Sequence, residues 1–302
     1  MREVTQSMRA LTVAVCAGAA LASSCAGRPA NARPATAADV STDTRDEASL
    51  GLMEHHRFHH YGGSTLFVVM SLDTLAVAPA TQGTVTQLRN ELVGSMAPAR
   101  TAEQALMTTL ADGVAQGTVD TAKADADASQ VSAAARAVHD GTGDTLNRLH
   151  ATLATPERMA LADKVEAHWA VWQRANADET GTRPDEHTHL ADLSDALGLT
   201  VEQRDRVRVA LAESLKAVPP LDAKAVDAQL RTFTTAFAGP SFDVRAMTAA
   251  SDVDARMVGW AASHLAHFVE AMTPALNADQ RDALAARLRE HAAHDPTGEA
   301  TP

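Results

Sequence analysis

The sequence has few of the residues that build β-sheets and disulfide bonds. Aromatic residues make up 3% of its 302 positions, with a single tyrosine, and both of its cysteines lie within the first 25 residues. Strands favour aromatic and β-branched side chains, whereas alanine, which is abundant here, is the strongest helix former. We therefore expect an all-α protein whose main body is held together by helix packing, without disulfide bonds.

Basic residues and long apolar runs are also scarce. The chain has 26 lysines and arginines against 38 aspartates and glutamates, a formal charge of −12. Nucleic-acid-binding proteins usually carry a basic stripe, and an acidic protein is not attracted to anionic lipids. Beyond the first 25 residues, no stretch approaches the roughly 20 apolar residues that a membrane-spanning helix needs. We expect no nucleic-acid partner and no membrane contact except through a lipid anchor.

Residues 1–25 have the pattern of an export signal, because two arginines precede an apolar run over 10–22. Two processing outcomes are open. Cleavage after Ala22 would follow the A-x-A rule and release a soluble periplasmic protein. Alternatively, residues 22–25 resemble a bacterial lipobox, which would make Cys25 the lipid-modified first residue. We favour lipidation at Cys25 because the next region has the composition of a tether, and we expect a periplasmic protein anchored in the outer membrane.

Composition divides the remaining chain into a spacer, two repeats and a short tail. Residues 26–63 lack apolar periodicity and are expected to form a disordered spacer, with Gly62-Gly63 breaking the chain before the folded body. A polar boundary near 176–186 separates a first helical repeat over 64–178 from a second over 187–295, and 296–302 form the tail.

Apolar spacing and helix-breaking residues predict the helices of each repeat. Gly113 and Gly117 are expected to end one helix, and Pro219-Pro220 another. The predicted helices span 84–110, 120–153 and 156–173 in the first repeat, and 201–218, 222–237, 243–272 and 278–291 in the second.

The two repeats align with each other at an offset of about 122 residues. Residues 72–79 fall on 194–201, and 153–158 fall on 275–280. Between them, Asp120 falls on Asp243 with a slip of one residue. The two aligned stretches are about 77 residues apart in each repeat, and this equal spacing indicates a duplication.

The aligned stretches predict helix starts. Thr200 can cap a helix by accepting from the amide of Gln203, whose side chain can bond back to the Thr200 amide in a capping box. Asn277 and Gln280 have the same arrangement. In the first repeat, Thr155 is expected to be a cap that is followed by a proline.

These residues resemble the L-T-x-x-Q motif of the Spy/CpxP family of periplasmic chaperones and stress proteins. The copies are Leu199-Thr200-x-x-Gln203, intact; Leu276-Asn277-x-x-Gln280, with one substitution; and the degenerate Ala154-Thr155 and Val77-Ala78. The resemblance covers roughly residues 64–294. It implies long, curved, antiparallel helical hairpins that dimerise into a cradle, which holds unfolded proteins without ATP. Because this chain has two such units, we expect an intramolecular pseudo-dimer whose partners are unfolded or partly folded envelope proteins.

An acidic protein of this family would bind its clients through apolar patches. Methionine suits surfaces that adapt to many partners. The expected client-binding residues are Met107, Met247, Met257 and Phe268.

Metal binding is the alternative function, because relatives of the CnrX and ZraP type sense metals. Zn²⁺ or another divalent transition metal would then be bound, whereas the chaperone needs no cofactor. Imidazole and carboxylate groups at helical spacing are suitable ligands. The candidate ligands are His55, His56, His59 and His60 before the body, and His264, His267 and Glu270 in the second repeat.

Enzymatic activity is not expected. The sequence has no G-x-S-x-G, P-loop or H-E-x-x-H motif. Its many carboxylates fall on amphipathic helices, where a solvated face accounts for them.

Overall fold

Helices form nearly all of the chain that the computed structural model describes, namely residues 61–176, 189–247 and 250–293. No strand occurs within these ranges, so the predicted all-α class is confirmed. None of their helices is long and apolar enough to cross a membrane. The leader with Cys25, residues 26–60 of the spacer, the boundary segment 177–188 and the tail lie outside the described residues.

The helices agree with most of the predicted spans, but two of them have no sequence prediction. Those two are short and span Ser64–Asp73 and His189–Leu197. The described residues also contain 3₁₀ turns over Leu215–Ala217, Val244–Ala246 and Thr273–Ala275. In chain order the α-helices are α1 (Ser64–Asp73), α2 (Pro79–Gln116), α3 (Thr121–Thr152), α4 (Thr155–Ala175), α5 (His189–Leu197), α6 (Val201–Ser214), α7 (Ala223–Ala238), α8 (Ala250–Met272) and α9 (Ala278–Ala293).

Helix α1 is mostly apolar and lies inside the bundle. Every residue from Thr65 to Leu72 is buried, and the helix packs against α4, α2 and α3. Tyr61 is only 2% exposed, so the prediction that the spacer extends to residue 63 is wrong. A Cβ on Gly62 would come within 2.3 Å of the Met96 sulfur. The glycine therefore allows the chain to enter the core beside α2, where the prediction had placed only a chain break.

Helix α2 is longer than its apolar pattern predicts. It starts at Pro79 and ends at Gly117, whose φ of 81° is in the left-handed region that glycine tolerates. Gly113 does not end the helix, and that prediction is wrong. A Cβ there would lie 2.8 Å from the Val119 Cα, so Gly113 permits the close approach of the chain that turns back into α3.

Proline has different effects at equivalent positions of the two repeats. Pro98 lies inside α2, and Pro220 is its counterpart at the offset of 122 residues. Pro98 and Gly94 are both exposed, so water can bond the Gly94 carbonyl that the proline leaves without its helical donor. In the second repeat Pro219 precedes Pro220, and the chain breaks there into α6, a 3₁₀ turn and α7.

Helix α8 starts later than predicted. The expected helix over 243–272 is replaced by a 3₁₀ turn at Val244–Ala246 and by α8, which begins at Ala250. The Asp243 side chain accepts from the Arg245 amide. Asp243 therefore caps a short 3₁₀ turn and is not the start of the long helix.

Within the described residues, helices from the two stretches predicted to be repeats, 64–178 and 187–295, pack against each other. α3 packs along α8, its counterpart in the sequence alignment. α2 packs against α9, and the equivalent pairing of α4 with α7 is also present. Within the repeats, α2 packs on α3, and α8 packs on α6 and α7. The apolar faces of both repeats therefore meet in one shared core.

Candidate functional site

The start of α6 has the predicted capping box. Thr200 Oγ1 accepts from the Gln203 amide at 3.2 Å, and Gln203 Oε1 accepts from the Thr200 amide at 2.9 Å. The preceding Leu199 is 5% exposed and packs in the core. This intact copy of the motif therefore fixes both the first turn of α6 and its position on the core.

The start of α9 repeats this arrangement. Gln280 Oε1 accepts from the Asn277 amide at 3.0 Å, and Asn277 Oδ1 accepts from the Gln280 amide at 2.9 Å. Leu276, before the cap, is also 5% exposed. Asparagine thus replaces threonine in this copy without loss of the capping geometry.

The two capping boxes are joined to each other by their glutamine side chains. Gln203 Nε2 donates to Gln280 Oε1 at 2.7 Å, and Gln280 Nε2 donates to Gln203 Oε1 at 3.3 Å. Gln203 Nε2 also donates to the Ala275 carbonyl at 2.8 Å. Both glutamines are 8% exposed, so their amides need protein partners. Each side-chain amide is therefore a hydrogen-bond partner of the other, although the two glutamines are 77 residues apart in the sequence.

The degenerate copies in the first repeat are joined in a different way. Glu157 accepts from the amide of Ala154 at 2.7 Å and from the amide of Ala78 at 2.8 Å. One carboxylate therefore serves the starts of both α4 and α2. The prediction that Thr155 is the cap is wrong, because α4 begins at Thr155 and Ala154 stands before it. Val77 is partly buried and packs against the core.

Three of the four expected client-binding side chains are not on the surface. Met107, Met257 and Phe268 are between 0% and 1% exposed. They fill the core between the repeats and do not form an accessible patch in this conformation, so this expectation is not met. Met247 is partly buried and lines a small cavity next to Asp254.

Of the described residues predicted to bind metal, His267 and Glu270 contact each other, and His264 lies apart from them. His267 Nδ1 lies 3.2 Å from Glu270 Oε2 and 2.8 Å from Ser214 Oγ, whereas His264 packs against Trp260 with ring centroids 4.8 Å apart. The described residues contain no group of three or more suitable side chains around one point. The expectation that His264, His267 and Glu270 share a site is therefore not met. His55, His56, His59 and His60 lie outside the described residues.

A buried ionic cluster links the repeats, and no sequence pattern predicts it. Asp254 on α8 accepts from His139 Nδ1 on α3 at 2.9 Å, and from the Ser64 hydroxyl and amide at 2.7 and 3.2 Å. Burial of the His139 ring opposes its charge, but the hydrogen bond and charge of Asp254 outweigh burial and raise the pKa of His139. Asp254 thereby holds the start of α1 against α3 and α8.

An open groove lies where the prolines break the second repeat. It has a volume of about 500 Å³ and lies between α3, residues 218–222, the first turn of α7 and α8. Its floor is the close crossing of α3 and α8, where Ser132 Oγ donates to the Ala255 carbonyl at 2.7 Å. Its walls are largely apolar and include Pro219, Pro220 and the partly buried Trp260. The Pro-Pro pair is the sequence signal that could have located this groove.

The rim of the groove has one available positive charge. Arg256 is exposed and lines the groove. Among the described residues it forms no ion pair or hydrogen bond. Asp222 also lines the groove, and its carboxylate caps α7 by accepting from the Ala225 amide at 3.0 Å. The groove is therefore a largely apolar cleft whose lining includes one arginine and one carboxylate.

Comparison with known proteins gives no assignment. No family model matches the chain, and neither a curated protein nor a solved structure matches it.

Proposed function

We propose that this protein is an ATP-independent holdase of the Spy/CpxP type, which binds unfolded or partly folded proteins in the bacterial envelope. The main observation that supports this proposal is the pair of capping boxes joined by hydrogen bonds between Gln203 and Gln280. The motif residues that define the resemblance, Thr200 and Gln203, form the expected box, and Gln280 of the second copy is bonded to Gln203. The motif thus organises the meeting point of α6 and α9.

The proposal includes a pseudo-dimer formed within one chain. Proteins of that family pair two units. In this chain α2 packs against α9; if each of these helices is replaced by its counterpart in the other repeat, the pair becomes α7 with α4, which also pack against each other. The crossing of α3 with α8 lies at the centre of this exchange. Two covalently linked repeats meet at a high effective concentration, so a second molecule is not needed to complete the bundle.

The groove supports the binding of unfolded chains. An unfolded protein exposes apolar side chains and unpaired backbone groups, and an apolar cleft on a charged surface binds such segments through burial. No motif for nucleotide binding occurs in the sequence. Lipidation of Cys25 would hold the holdase at the outer membrane, beside its proposed clients.

Aggregation of a chemically reduced, unfolding protein in the presence of the purified full chain tests the proposal. Light scattering should be suppressed near equal stoichiometry, without ATP. A folded helical protein of similar charge and size is the control. No suppression at a severalfold molar excess would contradict the holdase. If Zn²⁺ titration of the same chain then gave tight binding, the metal-binding alternative would replace it.

A further inference from the structure

Most of the hydroxyl and charged side chains that line the groove are already bonded within the protein. Ser132 and Asp222 form the hydrogen bonds described above, and Ser129 Oγ donates to the Asp125 carbonyl at 2.8 Å. A polar group that already has a partner gains little from a new one. These side chains therefore do not call for a polar ligand, and the groove offers a ligand mainly apolar surface.

Two polar side chains of α8 are the exception. Arg256 and Ser263 line the groove, and neither forms an ion pair or a side-chain hydrogen bond with another residue that the structure describes. They are seven residues apart, so they lie on the same face of α8, about 10 Å from each other along the helix axis. Trp260 lines the groove between them. The groove therefore presents a cation and a hydroxyl group two helical turns apart, with apolar surface between them.

The apolar lining favours an aliphatic ligand. Trp260 is the single aromatic residue among the lining residues, and the chain break after α6 contributes Val218, Pro219, Pro220 and Leu221. Such compact side chains offer no flat surface for an aromatic ring. The groove volume of about 500 Å³ is within the range of small-ligand sites. An extended aliphatic chain of roughly eight carbons spans the distance of about 10 Å along α8.

The position of Arg256 favours a carboxylate on this ligand. Arg256 is exposed, so a carboxylate that pairs with it stays in contact with water, and the cost of burying a charge does not arise. A carboxylate also fits the fork of N–H donors on the guanidinium group. The Asp222 carboxylate is engaged elsewhere, because it bonds an amide at the start of α7, where the helix dipole favours a negative charge.

We propose that the groove is a binding site for a medium-chain aliphatic carboxylate, which is the chemistry of a fatty acid. The carboxylate pairs with Arg256, and the chain lies along α8 over Trp260 towards Ser263. This inference goes beyond the proposed holdase function and does not depend on it, because the binding of a small ligand is measured without any client.

Isothermal titration calorimetry of the full chain with decanoate, below its micelle-forming concentration, tests the proposal. Decanoate should bind at least about tenfold more tightly than butyrate, because each buried CH₂ group contributes about fourfold. Decyltrimethylammonium, which has the same chain but a positive charge, is the control. Non-specific binding to a protein of formal charge −12 favours this cation, so tighter binding of decanoate supports the site. No binding of decanoate, or tighter binding of the cation, would overturn the proposal.

A groove-filling variant with a matched control locates the binding. Ala225 lines the groove, whereas Ala228, on the same helix, is exposed and does not. Ala225→Trp should weaken decanoate binding at least about tenfold, because the indole ring occupies the space of the aliphatic chain. Ala228→Trp should leave the binding unchanged. Unchanged binding by a folded Ala225→Trp variant would overturn the site.

A charge variant tests the carboxylate without changing the core, because Arg256 is exposed. Arg256→Gln should weaken decanoate binding about threefold or more and should leave the binding of 1-decanol, which has no charge, unchanged. Arg206 is exposed and does not line the groove, so Arg206→Gln removes the same charge and should affect neither ligand. Equal effects of the two variants on decanoate, or equal effects of Arg256→Gln on both ligands, would overturn the pairing of the carboxylate with Arg256.

Discussion

Replacing Gln203 by leucine tests whether the two capping boxes are joined as the structure describes. Leucine has a similar volume, but it cannot bond the Thr200 amide, the Ala275 carbonyl or the amide of Gln280. A typical hydrogen bond contributes about 1 kcal/mol net, and a buried polar group left unpaired costs about 1–3 kcal/mol. Burial of the leucine offsets part of this loss. We expect the free energy of unfolding to fall by about 2–4 kcal/mol.

Chemical and thermal unfolding, followed by far-ultraviolet circular dichroism, measure this loss. For a body of this size, 1 kcal/mol corresponds to about 2–4 °C in Tm, so Tm should fall by roughly 5–15 °C. Gln280→Leu should have a comparable effect. In the double variant the losses should not add, because the two side chains bond each other, and we expect a coupling energy of at least about 0.5 kcal/mol.

A matched control is available on α3. Gln130 is exposed, and Gln130→Leu should change stability by no more than about 0.5 kcal/mol. If Gln203→Leu were no more destabilising than this control, the buried amide pair would not exist in solution. If the losses of the Gln203 and Gln280 variants were simply additive, the two boxes would be independent helix caps.

Three further predictions concern the cap, the ionic cluster and the leader. Thr200→Ala should cost about 0.5–2 kcal/mol through loss of the helix cap, and an unchanged urea midpoint would contradict the capping role. The raised pKa of His139 means that its pairing with Asp254 stabilises the fold fully below the unfolded-state pKa of about 6.5, and that this contribution is lost as pH rises through the folded-state pKa. Between about pH 6 and 9, unfolding free energy should fall more in wild type than in Asp254→Asn, and parallel profiles would refute this linkage. Mass spectrometry of the exported protein should find a lipid on Cys25, and an unmodified chain beginning at Ser23 would rule lipidation out.

Local interactions were predictable from the sequence. The cap residue and its partner in the α6 capping box are three positions apart, so Thr200 and Gln203 contain all the information needed for their mutual hydrogen bonds. The start of α3 is similar, since Asp120 accepts from the Lys123 amide. The same reasoning placed the cap of α4 one residue too late, because Glu157 reaches back to Ala154. Its carboxylate is shared with α2, which the local pattern does not contain.

Prolines and glycines were less reliable guides, because their effect depends on the surroundings. Glycine often marks the end of a helix, but Gly113 lies inside α2, where its missing side chain allows Val119 to approach closely. Pro98 is tolerated because its side of α2 faces water. A sequence pattern shows that a backbone donor is missing, but not whether water can replace it.

Histidines on one helix face were separated by their neighbours. His264 and His267 are three residues apart on α8, yet one lies against Trp260 and the other against Ser214 and Glu270. Spacing restricts the directions in which two side chains can point. The elements packed on the helix then decide what each side chain contacts.

The sequence by itself determined the helical class, most helix positions and the capping boxes of α6 and α9, because these depend on contacts within a few residues. Tertiary structure alone decided that Gln203 meets Gln280, that Asp254 holds the start of α1, and that an apolar groove remains open beside Trp260. α1 illustrates the difference: its mostly apolar residues have no periodicity that could indicate a buried face. It is buried on every side because helices distant in the chain pack around it, and contacts between distant segments leave no local pattern in the sequence.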